Sequence, residues 1–253
     1  ARQRPLTPTD EPLALSIPLT GEPASPTPRA PQPVLSGLEV GLMALLSAAL
    51  LVAAGLQWWP LSMTEALGFA TGGSCVWLCV REHIWNWPLG LANNLVFFLL
   101  FGHSRLYADM GLQVVYFAFG VYGWWNWVYG GERLGALRIS RTPVTEWLVL
   151  AALAPLATWG LWAVLVEVQG ASPFWDATTT VLSLVAQYLL CRKRLENWLV
   201  WIVVDALYVP LYLSRDLHLT ALLYAVFLLM CIYGFRAWLP SGAAEPEGAR
   251  ALP

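Results

Sequence analysis

Eight apolar segments leave this chain few folds to choose from. They run over residues 37–59, 61–80, 86–101, 106–129, 144–168, 173–191, 195–213 and 217–238. A helix of about 20 apolar residues spans a bilayer. In lipid the backbone has no water to bond with, so each span must satisfy its own N–H and C=O groups as a helix. The expected fold class is therefore all-α integral membrane. The third segment is short for a span and is expected to sit tilted or deep in the bundle. Pro60 follows the first segment closely and leaves little room for a turn.

Composition agrees. Of 253 residues, 58% are hydrophobic and 12% charged, against about 25% charged in soluble domains. Mean hydropathy is +0.57. Many of the fifteen tryptophans lie near the ends of apolar runs, where indoles favour the membrane interface. A net charge of −2 gives no reason to invoke nucleic acid. Cys75, Cys79, Cys191 and Cys231 lie inside apolar runs without metal or redox spacing and read as small buried hydrophobes. His83, His103 and His218 fall at segment ends, again without metal spacing.

Residues 1–36 hold half of the eighteen prolines and too little apolar surface to fold, and read as a disordered tail. Residues 239–253 are expected to be disordered as well. Between the tails the loop charges are lopsided. One set of ends and loops collects Arg81, Arg133, Arg138, Arg141, Arg192, Lys193, Arg194 and Arg236; the other collects Arg105 and Arg215. The positive-inside rule then puts both termini in the cytoplasm.

The chain also repeats itself. Shifted by 111 residues, the stretch from Ile84 lies on the stretch from Leu195 without a gap. Asn86 then meets Asn197, Trp87 meets Trp198, Gly123 meets Gly234 and Trp127 meets Trp238. The Asn-Trp pair and the Tyr-Gly…Trp ending are hard to obtain by chance in an apolar chain. The expected plan is two parallel three-helix repeats, 61–129 and 173–238, joined by a loop and linker helix within 130–172, with 37–60 as an extra N-terminal helix. Such repeats place a ligand site near the midplane between them.

The seventh segment holds the parts of that site. Asn197, Trp201, Asp205 and Tyr208 fall within an arc of about 80° on one side of a helix. A carboxylate at membrane depth costs several kcal/mol unless it faces protein or a wet cavity. Asp205 aligns with Asn94 of the first repeat, and Trp201 with Gly90, so one half offers a wall where the other leaves a gap. Asp205 is read as a site or gate residue, against a structural hydrogen bond to a neighbouring helix. Asn197 is read as a ligand contact, against interhelical glue. Asn86 is either a contact or the cap of a helix that begins with Pro88 nearby. Asn93 and Asn94 lie within an apolar helix, and Gln113 is mid-helix with Tyr116 a turn away. Thr180 and Ser183 read as structural hydroxyls, while Gln187 on the same stripe is a candidate contact. Pro210 marks either a hinge or a static bend. There is no phosphate loop, nucleophile elbow or HExxH pattern, so no cofactor is expected and ATP-driven transport by this chain is not expected.

Three stretches carry a family resemblance: His83–Asn94 (HIWNWPLGLANN), Arg105–Trp127 (RLYAD…LQ…YGWWNW) and 195–238 (LENWLVWIVVDALYVPLYL followed by LTALLYAVFLLMCIYGFRAW). Together they resemble the PnuC family of bacterial nicotinamide riboside transporters over roughly 61–238. The family commonly has Asn where His83 stands. The resemblance implies a three-plus-one-plus-three helix plan related to sugar transporters of the SWEET class, and a homotrimer. It implies facilitated diffusion of a vitamin by alternating access, with a separate cytoplasmic kinase trapping the nicotinamide riboside. Relatives carry thiamine or riboflavin. By motif position the implied substrate-binding residues are Asn86, Asn94, Gln113, Gln187, Asn197, Trp198, Trp201, Asp205 and Tyr208. A ribose-linked cationic aromatic ring would find stacking faces, amides and a carboxylate among them. The competing classes are an integral membrane enzyme using Asp205, for which no second catalytic group is found, and a non-transporting structural membrane protein, which leaves the buried polar residues unexplained.

Overall fold

The computed structural model describes residues 34–58, 61–103, 107–131, 134–169, 172–214, 216 and 218–242. The Pro-rich segment 1–33, and with it the expectation of a disordered N-terminal tail, lies outside them. Eight helices make up the described residues: α1 Gly37–Gly55, α2 Met63–Val80, α3 Asn86–His103, α4 Tyr107–Tyr129, α5 Val144–Glu167, α6 Pro173–Cys191, α7 Asn197–Leu213 and α8 His218–Gly242. Each corresponds to one of the eight apolar segments.

Three ends differ most from the sequence reading. α1 stops at Gly55, four residues short of the expected 59. α3 continues to His103, so it is two residues longer than expected. α8 runs through Pro240 to Gly242, where a disordered tail was expected. Pro240 sits in the final turn, where its missing N–H removes a single ladder bond. Local chemistry sets the starts. Ser36 and Glu39 form a reciprocal capping box on α1, and Pro173 occupies the first turn of α6.

By length and composition, three helices could cross a membrane: 37–55, 144–167 and 220–239. The first two coincide with α1 and α5, whose outward Leu38, Leu45, Leu148 and Leu156 are exposed. The other helices are less apolar because they carry the polar groups of a central cavity. A helix surrounded by helices can hide such groups; one surrounded by lipid cannot.

The packing falls into matched pairs. α1 packs on α2 as α5 packs on α6; α2 on α3 as α6 on α7; α3 on α4 as α7 on α8; and α8 on α2 as α4 on α6. Details repeat too. Trp87 meets Trp127 edge-on at 5.3 Å and 87°, and Trp198 meets Trp238 at 5.3 Å and 86°. A Cβ on Gly234 would stand 2.8 Å from the Trp198 ring, and one on Gly123 would collide with Trp87. Glycine at both positions is thus required by the indole that lies against it.

Candidate functional site

The core narrows at one end of the bundle. The ends of α2, α4, α6 and α8 meet there the starts of α3 and α7 around Trp87, Trp127, Trp198 and Trp238, all of them buried. Above this cluster the helices part around a cavity of about 500 Å³. That size suits a small organic ligand.

All nine sequence-predicted site residues line this cavity: Asn86, Asn94, Gln113, Gln187, Asn197, Trp198, Trp201, Asp205 and Tyr208. Asn197, Trp201, Asp205 and Tyr208 share one wall of it, as the helical period of α7 requires. Across from them, α3 contributes Gly90, Asn93 and Asn94. A Cβ on Gly90 would meet no neighbour closer than the Cys75 sulfur at 4.0 Å. The gap facing the cavity at Gly90 is therefore real space, whereas its repeat partner Trp201 fills the equivalent position with an indole.

Each polar group has its own setting. Asp205 is 3% exposed, and its Oδ2 accepts a hydrogen bond from the Cys231 thiol at 3.4 Å. A thiol is a weak donor, so the carboxylate keeps most of its capacity to accept a stronger partner. Asn197 is fully buried. Its Nδ2 donates to the Arg194 carbonyl at 2.6 Å, as Asn86 Nδ2 donates to the His83 carbonyl at 2.9 Å. Both amides therefore tie the helix start to the preceding loop through their donors, in place of the accepting role of an ordinary N-cap. Asn197 Oδ1 has no partner among the described residues, and a buried amide oxygen left unbonded costs about 1–3 kcal/mol.

Trp198 and Trp201 divide the labour expected of a stacking residue. Trp198 is 2% exposed and wedged against Gly234 and Trp238; it forms floor rather than platform. Trp201 is only partly buried and presents its ring at the cavity wall. A second aromatic group, Tyr208, Tyr212, Tyr224 and Phe227, stands further along α7 and α8, with Tyr208 and Tyr224 rings 4.6 Å apart; Tyr208, Tyr224 and Phe227 line the cavity.

Several lining residues escaped the sequence reading. Ser183, expected to be structural, lines the cavity and is 5% exposed. Tyr116, Tyr224, Phe97, Phe227, Cys75, Cys79 and Cys231 also line the cavity. The 111-residue shift contained the signal. Tyr224 is the partner of Gln113, Phe227 of Tyr116, Phe97 of Tyr208, and Ser183 of Gly72, and every one of these lines the cavity. The cysteines are free thiols as expected. Among the described residues no group of His, Cys, Asp and Glu could hold a metal ion.

Pro210 lies inside α7, which remains one helix to Leu213. His83 sits in the α2–α3 loop, and His103 and His218 are the terminal residues of α3 and α8.

Comparison with known proteins agrees with the arrangement. The model of the nicotinamide mononucleotide transporter family matches residues 62–240. The nicotinamide riboside transporter PnuC of Escherichia coli (strain K12) is 31% identical over 220 residues, covering 77% of this chain and 91% of that protein. The riboflavin/roseoflavin transporter RibM of Streptomyces davaonensis is 29% identical over 181 residues, covering 70% of this chain and 79% of the relative. A crystal structure of the vitamin B3 transporter PnuC superposes with a TM-score of 0.62 at 23% identity, covering 82% of this chain and 92% of that one. With the family model spanning both repeats and a relative above 30% identity along most of its length, the chain belongs to the PnuC family of multi-pass membrane transporters.

Proposed function

We propose that this chain takes up nicotinamide riboside across the membrane by facilitated diffusion, with the central cavity as its site. The observation that carries the reading is the charge of the lining. Asp205 is a buried carboxylate, and no Lys, Arg or His stands among the described lining residues. A cationic pyridinium ring would complement that carboxylate and lie against Trp201. Asn86, Asn94, Gln113, Gln187 and Asn197 would bond its carboxamide and ribose hydroxyls, and Trp198 and Tyr208 would bound the ring. The partnerless oxygen of Asn197 is well suited to accept from a hydroxyl.

The same lining argues against the phosphorylated form of the cargo, despite the family model's description. A phosphate would bring about two negative charges into a site that, among the described lining residues, offers a carboxylate and no cation. Burying like charges together without a cation costs several kcal/mol. A second reading, riboflavin, is favoured by the relationship to RibM; thiamine, another cationic aromatic, would use the same parts.

The architecture proposed with it is a three-plus-one-plus-three plan, with α5 as the link and α1 as an additional flanking helix, working by alternating access in a homotrimer. The matched packing of the two halves supports the repeat. Both termini are proposed to face the cytoplasm of a bacterial inner membrane, where a separate kinase would trap the vitamin. The test is uptake of radiolabelled nicotinamide riboside into liposomes holding this chain as sole protein. Saturable equilibration without an ion gradient is expected; no uptake would refute the proposal.

A further inference from the structure

The four tryptophans beneath the cavity are packed in a chain. Trp87 meets Trp127 at 5.3 Å, Trp127 meets Trp238 at 6.2 Å, and Trp238 meets Trp198 at 5.3 Å. Trp87 and Trp198 line the floor of the cavity. Trp127 and Trp238 lie beneath and cross between the halves: Trp127 Nε1 donates to the Leu190 carbonyl at 2.9 Å, and Trp238 Nε1 to the Val80 carbonyl at 3.1 Å. Each half thus reaches over and bonds the last turn of the other half's first repeat helix. Whatever leaves the cavity through this end must part the four rings.

One ion pair spans the same end. Lys193 Nζ donates to Glu82 Oε2 at 3.0 Å and lies 4.4 Å over the Trp127 ring. Glu82 and Lys193 are separated by 111 residues, so they are the same position of the repeat occupied by opposite charges. They also share a backbone conformation: φ is 52° at Glu82 and 49° at Lys193. Left-handed geometry is uncommon for side chains of this kind, and here it aims two equivalent side chains at each other across the pseudo-twofold axis. Like residues at that position would repel; the opposite pair attracts. Lys193 is 6% exposed, so its ammonium is held chiefly by this partner and by the indole face.

We propose that the Glu82–Lys193 pair is an electrostatic latch, and the four tryptophans the plug, of a gate at the end carrying the 81–85 and 192–196 loops. The structure is then the conformation closed at that end. This rests on the transport reading above, since a gate has meaning only for a cavity that empties. Opening would separate two charges and two indole hydrogen bonds together, which makes the change all-or-none rather than gradual.

The cavity carries its own reporter. Cys75 lines it and is the least buried of the four thiols. The experiment is modification of Cys75 by a membrane-impermeant maleimide added from the face of the 81–85 and 192–196 loops, located by mass spectrometry. Membrane vesicles of defined orientation would hold wild type, Glu82→Lys, Lys193→Glu and the double exchange. Each single change places like charges on the axis. It is expected to raise the labelling rate at least about fivefold through a shift in the open population. The double exchange restores an opposite pair at equivalent positions, with the two charges simply traded between the halves, and is expected to return labelling to within about twofold of wild type. Unchanged labelling in both single variants, or a double variant as open as the singles, would overturn the latch. Should a single variant fail to fold, Trp127→Phe keeps an aromatic ring but removes the bond to Leu190 and part of the contact with Trp87, Trp238 and Lys193; faster labelling from that face is expected, and wild-type labelling would overturn the plug. Wild-type protein that labels as described yet moves no nicotinamide riboside would refute the transport reading and leave the gate geometry in place.

Discussion

Asp205 is where the chemistry of this chain concentrates. Its carboxylate is buried, bonded by a thiol and turned toward a cavity without a cation among the described lining residues. The repeat supplies its natural control, because Asn94 occupies the equivalent place in the other half. Asp205→Asn preserves shape and removes charge, so the fold should survive. A charge-assisted contact contributes about 1.5–3 kcal/mol, and affinity for a cationic ligand should fall roughly 10- to 100-fold. Trp201→Ala should weaken the same ligand about tenfold through lost stacking. Titration of purified, monodisperse variants checks both; wild-type affinity in either would remove that residue from the site. These side chains were legible because a helix period and a shift of 111 residues are sequence properties. Ser183 was not, because a hydroxyl that can bond its own helix gives no sign of facing a cavity.

At the scale of elements, glycine separates site from scaffold. Gly234 and Gly123 have indoles where a side chain would be, whereas Gly90 has open cavity. Gly234→Ala should therefore cost about 1–3 kcal/mol by overpacking. Gly90→Leu should leave the melting temperature within a few degrees of wild type and abolish or sharply reduce uptake by filling the cavity. Thermal unfolding in detergent, set beside uptake, reads the two effects. An unaffected Gly234 variant, or a Gly90 variant with normal transport, would contradict the assignment. The helices themselves were readable from the apolar segments to within a few residues. The ends of α3 and α8 were not, since neither His103 nor Pro240 marks where packing stops supporting the helix.

Across the whole molecule, one relationship escaped the ungapped comparison. α1 stands on α2 as α5 stands on α6. Arg81 pairs with Glu39 of α1 at 3.0 Å, and its repeat partner Arg192 pairs with Glu146 of α5 at 3.4 Å. Gln57 and Gln169 follow the two helices with φ of 54° and 55°. Glu39 and Glu146 are 107 residues apart, and Gln57 and Gln169 are 112 apart, so no single shift aligns both. α1 thus packs on α2, with an ion pair, as α5 packs on α6. Arg81 and Arg192 also add to the Lys and Arg gathered at one face, in keeping with the proposed orientation. Cysteine introduced at Asp216 should react with an impermeant reagent from outside the cell, and one at Arg138 only from inside. The reverse pattern would invert the molecule in the membrane.

Uptake competition tests the central claim most directly. Liposomes containing the purified chain would be given labelled nicotinamide riboside together with unlabelled nicotinamide riboside, its 5′-phosphate, thiamine or riboflavin. A cavity holding a carboxylate and, among its described lining residues, no cation should be blocked by nicotinamide riboside and at least about tenfold less well by the phosphorylated form, the difference expected when an anion is buried without a countercharge. Equal or stronger inhibition by the phosphorylated form would mean that the cargo does not rest against Asp205, and the site as described would be wrong.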